Sequence, residues 1–356
     1  MWFRLFAFCV IALFCASKAN AGPKLIMDLN TGEILSGERI DESWYPASLT
    51  KIMTAYLALS DIKSGKKNAN GLVIFSKLAA EQPASKIGLP AGYGLPLESA
   101  LRLLLTRSAN DVAVAIGEHL SGDLPSFIER MNTTAAAMGL SSTHFMTPHG
   151  LPATNQVTTA REMALLSRKV LMEFPEYMYL FSIKELQYNG KTLRNTNPLL
   201  YTYTGAIGLK TGYTCSSGYN LIAAARRGKH AFLSVMLGGI SKKERYKETV
   251  QMLDSAFDGT YAPYRAPISK KVSSLHPVSL RTQICGARGK SIIPMNVKAV
   301  PIPNGKPLLT NGEIFRFASL AQRRETHLRQ LIQGYSQMEL YNSQNMTEYK
   351  SDHRRF

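Results

Sequence analysis

The sequence lacks most of the features that mark nucleic-acid, nucleotide or metal-binding proteins. It has 4 cysteines and 2 tryptophans in 356 residues, and it contains no zinc-finger spacing, base-stacking platform or Walker-type glycine loop. Acidic residues are also scarce, since 25 Asp and Glu stand against 42 Lys and Arg, for a formal net charge of +17. We therefore expect no nucleic-acid partner, and an acidic polymer or an anionic membrane surface instead.

Long hydrophobic runs are missing except at the N-terminus. There, Arg4 precedes an apolar run over residues 5–16, and Ala19-Asn20-Ala21 forms a small-x-small cleavage site. This pattern predicts a secretory signal peptide over residues 1–21, with an uncleaved membrane anchor as the alternative. Either interpretation places the rest of the chain outside the cytoplasm.

Cysteine gives little further guidance. Cys9 and Cys15 fall in the signal peptide, so only Cys215 and Cys285 would reach an oxidising compartment. They could pair, but two cysteines do not make a disulfide framework. We predict that they are small packed residues.

The periodicity of apolar residues predicts strands near both ends of the main domain and helices between them. Residues 24–35 indicate an early β-hairpin, and residues 221–237 indicate a late one. Helices are predicted over residues 48–59, 97–105, 112–120, 123–138, 159–174 and 242–257. The order favours an α/β fold with a central antiparallel sheet flanked by helices, a mainly helical subdomain, and a site in the crevice between them.

The last quarter of the chain differs in composition and carries most of the basic surplus. We place a domain over residues 22–262, a basic Pro-rich linker over 263–312, and a basic amphipathic helix with a polar tail over 313–356. The apolar residues of that helix are Ile314, Phe317, Ala321, Leu328, Leu331, Tyr335 and Met338. Residues 313–342 are predicted to bind an anionic membrane surface; packing or self-association and a solvated helix are the alternatives.

Three short motifs carry the chemistry. Ser48 and Lys51 lie one helical turn apart, so the amine can reach the hydroxyl, although such a pair is also common on solvated helices. The triplets Ser108-Ala109-Asn110 and Lys210-Thr211-Gly212 follow, each at the boundary of a predicted element. Together, in this order and behind a signal peptide, the three motifs are specific.

On these motifs the chain resembles the serine DD-peptidases that bind penicillin, particularly the low-molecular-mass D-alanyl-D-alanine carboxypeptidases. The resemblance covers residues 22–262 and not the tail. It extends over residues 28–35, 46–54, 108–111, 148–152 and 208–214. It implies a penicillin-binding/β-lactamase-like fold, in agreement with the architecture that periodicity predicts.

The resemblance also implies catalytic roles. Ser48 would be the nucleophile, and Lys51 its base, provided that burial and the nearby cation of Lys210 keep its amine neutral. Ser108 and Asn110 would complete the proton path and hold the amide of the substrate.

A second set of residues would bind the substrate. The backbone N–H groups of Ser48 and Tyr213 would form an oxyanion hole, and Gly212 would let the strand edge come close to the substrate. Thr211 and Arg245 are candidates for binding the terminal carboxylate. For Arg245 the alternative is an exposed helix arginine.

The sequence departs from its relatives in two respects. Tyr213 stands where close relatives often have histidine, and no Glu-x-x-Leu-Asn stretch of class A β-lactamases is present. Penicillin is therefore expected to acylate Ser48 and to leave slowly. For His149 we predict a role in supporting its loop.

The resemblance thus implies a serine DD-carboxypeptidase that removes the terminal D-alanine of peptidoglycan stem pentapeptides through an acyl-enzyme on Ser48. β-Lactam antibiotics would inhibit it, and no metal or cofactor is expected. The alternatives are a DD-endopeptidase that cleaves peptidoglycan cross-links and a catalytically idle cell-wall-binding scaffold. The expected location is the periplasm, where the tail could hold the protein on the outer face of the inner membrane.

Overall fold

The computed structural model describes residues 22–265 and 277–286, together with the short strand β10, Lys306–Pro307. The predicted signal peptide and the predicted basic helix over residues 313–356 lie outside the described residues. Among the described helices, none has the length and apolar character needed to cross a membrane.

The other strands are β1 Lys24–Asp28, β2 Ile34–Glu38, β3 Leu72–Ile74, β4 Tyr93–Pro96, β5 Glu185–Tyr188, β6 Lys191–Arg194, β7 Ala206–Thr214, β8 Gly218–Arg227 and β9 His230–Gly239. The α-helices are α1 Lys51–Lys63, α2 Lys77–Ala80, α3 Leu97–Arg107, α4 Asn110–Ser121, α5 Leu124–Ala137, α6 Ala160–Glu173, α7 Tyr179–Ser182, α8 Leu199–Thr202, α9 Lys242–Asp258 and α10 Arg281–Cys285. Two 3₁₀ helices, Ala47–Thr50 and Pro175–Tyr177, complete the set.

The central sheet is built from both ends of the domain. Its strand order is β2-β1-β9-β8-β7, and every neighbouring pair is antiparallel. Strands β1 and β9 pair with Leu25 opposite Val235, so the early and late hairpins join in one sheet. The predicted α/β architecture is therefore present, and β7 is an edge strand of the sheet that the described residues form.

Successive side chains along each strand point to opposite faces of the sheet, so the hydrophobic core has one part on each face. On β8, Ile222 and Ala224 belong to the large cluster shared with α1, whereas Leu221 and Ala223 belong to a smaller cluster that includes Leu253 of α9. Side chains two apart share a face of a strand. The sheet is consequently covered by α9 on one face and by α1 and the helical subdomain on the other.

Local signals set the helix boundaries. Asp123 and Thr159 cap α5 and α6, because their side chains accept hydrogen bonds from the backbone N–H groups of Ser126 and Glu162. The short ribbon β5–β6 and the small sheet β10-β4-β3 were not predicted. Their strands have 2 to 4 residues, too few to establish an alternating pattern.

Candidate active site

The nucleophile candidate lies in a tight turn that enters α1. Ser48 is part of the 3₁₀ helix Ala47–Thr50; it is partly exposed, whereas its neighbours Ala47 and Leu49 are buried. Ala47 has a positive φ of 48°, an uncommon conformation for a residue with a side chain. The turn thus leaves Ser48 partly exposed while its two neighbours are buried in the core.

Two elements distant in sequence hold this turn. Asn220 of β8 donates to Tyr45 O at 3.0 Å and to Pro46 O at 3.2 Å. Gly150 approaches from the opposite loop, where a methyl group would lie 1.7 Å from Ala47 O. Its φ of +85° also favours glycine. Sequence reasoning missed Asn220, although a polar residue beside the apolar run of a central strand is a signal of this kind.

Lys51, the first residue of α1, turns its amine toward Ser48 in full burial. Its side chain is 0% exposed, and Nζ lies 3.0 Å from Ser48 Oγ, 2.8 Å from Asn110 Oδ1 and 2.8 Å from His149 O. The amide oxygen and the carbonyl can only accept hydrogen bonds. A neutral amine therefore donates both of its protons to them, and its lone pair faces the serine hydroxyl.

The surroundings favour that neutral form. Burial lowers the pKa of Lys51 well below its usual value, and the charge of Lys210 lowers it further. Asp111 acts in the opposite direction. Because burial is the largest of the three causes, their balance favours the neutral amine, which is the form that can accept a proton from Ser48.

The junction between α3 and α4 supplies the second wall. Ser108 ends α3 in the left-handed region, with φ 60°, so the chain turns and α4 begins at Asn110. Asn110 Nδ2 donates to Pro83 O, and Asp111 accepts from the backbone N–H groups of Ile87 and Gly88. Sequence analysis did not assign this role to Asp111, which secures the loop that flanks the site.

Ser108 is placed at the site without a direct link to the lysines. Its hydroxyl oxygen is buried and has no hydrogen-bond partner among the described residues. Lys210 Nζ instead donates to Thr211 O at 3.0 Å. The proton path expected from Ser108 to Lys51 is thus not formed by direct hydrogen bonds in this structure.

The third motif occupies the edge strand β7. Lys210 is buried, and burial together with the charge of Arg245 lowers its pKa to about 7. Thr211 Oγ1 lies 2.8 Å from Thr196 Oγ1. A methyl group at Gly212 would lie 3.0 Å from Pro46 O, so the glycine allows β7 to pack against the turn that carries Ser48.

Tyr213 and Arg245 are connected through Tyr219. The rings of Tyr213 and Tyr219 stack with centroids 4.4 Å apart, and the guanidinium of Arg245 lies 5.9 Å from the Tyr219 ring. Arg245 is only 6% exposed, which excludes the alternative of an exposed helix arginine. Its Nη1 donates to Asn220 O at 3.3 Å, and its buried Nε has no hydrogen-bond partner in the described part of the chain.

His149 supports the loop behind Lys51. Its Nδ1 accepts from Leu151 N at 3.1 Å, so its Nε2 carries the proton and donates to Gln82 Oε1, also at 3.1 Å. Burial and the charge of Lys51 lower the pKa of His149 well below its usual value. The ring is therefore neutral, and it is the backbone carbonyl of His149 that contacts Lys51.

The two remaining cysteines form a disulfide, so the prediction that they are simply packed residues is wrong. Cys215 follows β7 and Cys285 ends α10, with their Cα atoms 5.7 Å apart. The pair is separated by 70 residues of chain, which is why spacing alone could not reveal it. No group of three or more His, Cys, Asp or Glu that could hold a metal ion occurs among the described residues.

Comparisons with known proteins agree with this geometry. A family model described as D-alanyl-D-alanine carboxypeptidase matches residues 14–241. The D-alanyl-D-alanine carboxypeptidase DacA of Haemophilus influenzae is 35% identical over 67% of this chain and 62% of its own length. The chain therefore matches less than two thirds of the length of this curated relative.

Solved structures show the same fold. Penicillin-binding protein 5 from Haemophilus influenzae superposes with a TM-score of 0.65 at 34% identity, over 67% of this chain and 71% of that one. Penicillin-binding protein D2 from Listeria monocytogenes, solved in its cefotaxime-bound form, gives a TM-score of 0.61 at 29% identity, over 67% and 97% of the two chains. The predicted penicillin-binding fold is confirmed.

Proposed function

Because the chain belongs to the D-alanyl-D-alanine carboxypeptidase family, we propose that it is a serine DD-carboxypeptidase acting on peptidoglycan stem pentapeptides. Ser48 attacks the carbonyl between the two D-alanines, the terminal D-alanine leaves, and water hydrolyses the acyl-enzyme. No step requires a metal or a cofactor. β-Lactams acylate the same serine.

The observation that carries the proposal is the hydrogen bonding of Lys51. Its two acceptor-only partners leave the lone pair of the neutral amine directed at Ser48 Oγ, 3.0 Å away. As Ser48 Oγ attacks, its proton passes to Lys51 Nζ, which then protonates the departing amine of D-alanine. A wall-binding scaffold would not need this arrangement of nucleophile and base.

Substrate recognition follows from the position of β7 at the edge of the sheet. The outer side of an edge strand can pair with an extended peptide. The backbone N–H groups of Ser48 and Tyr213 receive the developing oxyanion, and each donor of this kind is worth roughly 10²–10³-fold in rate. Thr211 and Arg245, whose Nε has no hydrogen-bond partner among the described residues, are the groups that bind the terminal carboxylate.

The experiment is to incubate the purified protein with a stem pentapeptide and to measure free D-alanine and the product masses. Wild type is expected to release D-alanine and leave a tetrapeptide, and Ser48→Ala is expected to release none. A protein that leaves the pentapeptide intact but cleaves cross-linked muropeptides would establish the endopeptidase instead. A folded wild type inactive on both substrates would contradict the proposal.

The location is proposed to be extracytoplasmic. The Cys215–Cys285 disulfide supports it, because such bonds persist in oxidising compartments, as does the leader-like sequence of residues 1–21. Residues 313–342 are proposed to bind an anionic membrane surface. Liposome flotation with and without residues 313–356 tests this, and equal flotation of the two forms would contradict it.

A further inference from the structure

A ten-residue segment from the predicted linker is fixed at the end of the active-site strand. We call residues 277–286 the tethered segment. Its Cys285 is bonded to Cys215, and Leu280 N donates to Ser216 O at 2.9 Å. Both attachment points, Cys215 and Ser216, lie in the turn that connects β7 with β8, directly after Thr214 at the end of β7. The tethered segment is thus joined to the catalytic strand by a covalent and a hydrogen bond.

Packing adds a third attachment. Leu280 is buried, and a methyl group at Gly218 would lie 2.9 Å from its Cδ1, so leucine and strand are in direct contact. Ile284, one turn further on, packs against the large core cluster. The turn beneath is held by Thr214 and Ser217: the backbone N–H of each donates to the hydroxyl of the other, and the Thr214 hydroxyl also donates to the Ser217 hydroxyl. The tethered segment therefore forms part of the wall of the domain.

Tyr213 is held between this segment and the sheet. Its ring stacks on Tyr219, and its hydroxyl lies 3.5 Å from Cys285 Sγ. A disulfide sulfur carries no proton, so the tyrosine O–H is the donor. With two contacts fixing it, the side chain is still 45% exposed. It presents a flat aromatic surface in a fixed orientation beside the oxyanion hole.

The direction of the substrate follows from the order of groups along β7. The terminal carboxylate of the substrate is placed at Thr211 and its scissile carbonyl at the N–H of Tyr213. From its C-terminus toward its N-terminus, the substrate peptide therefore runs along β7 from Thr211 toward Cys215. The stem-peptide residues that precede the two D-alanines must then lie over the end of β7. That is where the tethered segment and the ring of Tyr213 are found.

We propose that Tyr213 and the tethered segment form a subsite for the part of the stem peptide upstream of the two D-alanines. The inference rests on the proposed function and adds to it a specificity-determining element. Because the disulfide already orders this binding surface in the free protein, less conformational entropy is lost when an extended ligand binds to it. The subsite should thus favour long peptide substrates and contribute little to small ligands that reach only Ser48.

The test compares substrates of different length on a variant without the tether. In the double variant Cys215→Ser/Cys285→Ser, kcat/KM for a stem pentapeptide is expected to fall about tenfold, mainly through KM, which corresponds to one tenfold step in affinity. For N-acetyl-D-alanyl-D-alanine and for acylation by a fluorescent penicillin, the expected change is less than about twofold. Lys229→Ala, an exposed change in the distant β8–β9 turn, is the matched control.

The outcomes separate the two proposals. An equal loss for the long and the short substrate, or no loss for either, would overturn the subsite and leave the carboxypeptidase intact. Wild type that neither hydrolyses the pentapeptide nor reacts with penicillin would overturn the proposed function and the subsite with it. If the double variant does not fold, Leu280→Ala keeps the disulfide and removes the packing of the tethered segment on Gly218, and it is expected to give the same length-dependent loss.

Discussion

The amine of Lys51 lies 3.0 Å from the hydroxyl of Ser48 and has no exposure to solvent. The short distance lets the proton pass directly from serine to lysine. Burial lowers the pKa of Lys51 and so favours the neutral amine that can receive the proton, as the proposed mechanism requires. This pair is the centre of the candidate active site.

Replacing the base should slow acylation without unfolding the protein. In Lys51→Met the nucleophile has no proton acceptor, and we expect the rate of penicillin acylation to fall by roughly 10²–10⁴-fold. Stopped-flow or gel-based labelling measures it. Lys66→Met, in an exposed loop, is the control and should keep the wild-type rate. Rapid acylation of Lys51→Met would exclude Lys51 as the base.

The pH dependence of acylation should report the pKa of Lys51. Its neutral fraction grows as the pH rises through its lowered pKa, so the rate should increase with pH along this limb. Lys210 is one cause of the lowered pKa. In Lys210→Met the pKa of Lys51 is therefore higher, and the acid limb should move to higher pH. If the acid limb of the pH–rate profile lies at the same pH in Lys210→Met as in wild type, whatever the overall rate, the charge of Lys210 does not affect the pKa of Lys51.

A buried carboxylate away from the active site should make stability depend on pH. Glu118 accepts from Ser76 Oγ at 2.9 Å through one oxygen, and its other oxygen is buried without a hydrogen-bond partner among the described residues. Burial raises the pKa of Glu118 to about 7 from an ordinary value of 4.5. The folded state thus binds this proton more tightly than the unfolded state, and the free energy of unfolding falls as the pH rises from about 4.5 to about 7.

In Glu118→Gln this loss should disappear. The variant is expected to gain roughly 2 kcal/mol relative to wild type between pH 5 and about 8, measured by urea unfolding. Glu129→Gln, an exposed change, serves as the control and should follow wild type at every pH. A constant difference between Glu118→Gln and wild type would refute the assignment.

A side chain at position 150, on the loop that faces the Ser48 turn, should destabilise the protein. Gly150→Ala combines a positive φ with a 1.7 Å approach to Ala47 O, and we expect it to destabilise the protein by about 3 kcal/mol or more and to impair acylation. Gly190→Ala is the matched control, since it has a φ of 70° but open space around it. It should cost only about 1 kcal/mol. Thermal unfolding and penicillin labelling of both variants measure these effects. Equal destabilisation by Gly150→Ala and Gly190→Ala would contradict the close contact between Gly150 and Ala47.

Much of the fold was predictable because its signals are local. The β-hairpins and the long helices follow from alternating or helical periodicity within a dozen residues, and the caps Asp123 and Thr159 mark helix starts. The pairing of β1 with β9 was expected from the general architecture. The short strands β5 and β6 could not be predicted, since four mostly exposed residues carry no clear pattern.

The candidate site was predictable to a similar degree. Ser48 and Lys51 are one turn apart on a helix, so their proximity follows from the sequence. The other motifs were placed by resemblance. Asn220, Gln82 and the partner of Cys215 act across long separations in sequence, where no spacing rule applies, and only the folded chain reveals them. The absence of a direct bond from Ser108 to Lys51 likewise depends on side-chain geometry.

Covalent labelling of Ser48 tests the proposed function most directly. Purified wild type and Ser48→Ala are treated with a fluorescent penicillin, and the intact mass of each is measured. We expect a slowly hydrolysed adduct of one penicillin on wild type and none on Ser48→Ala. A well-folded wild type without an adduct, or an adduct that persists in Ser48→Ala, would contradict the assignment of Ser48 as the nucleophile.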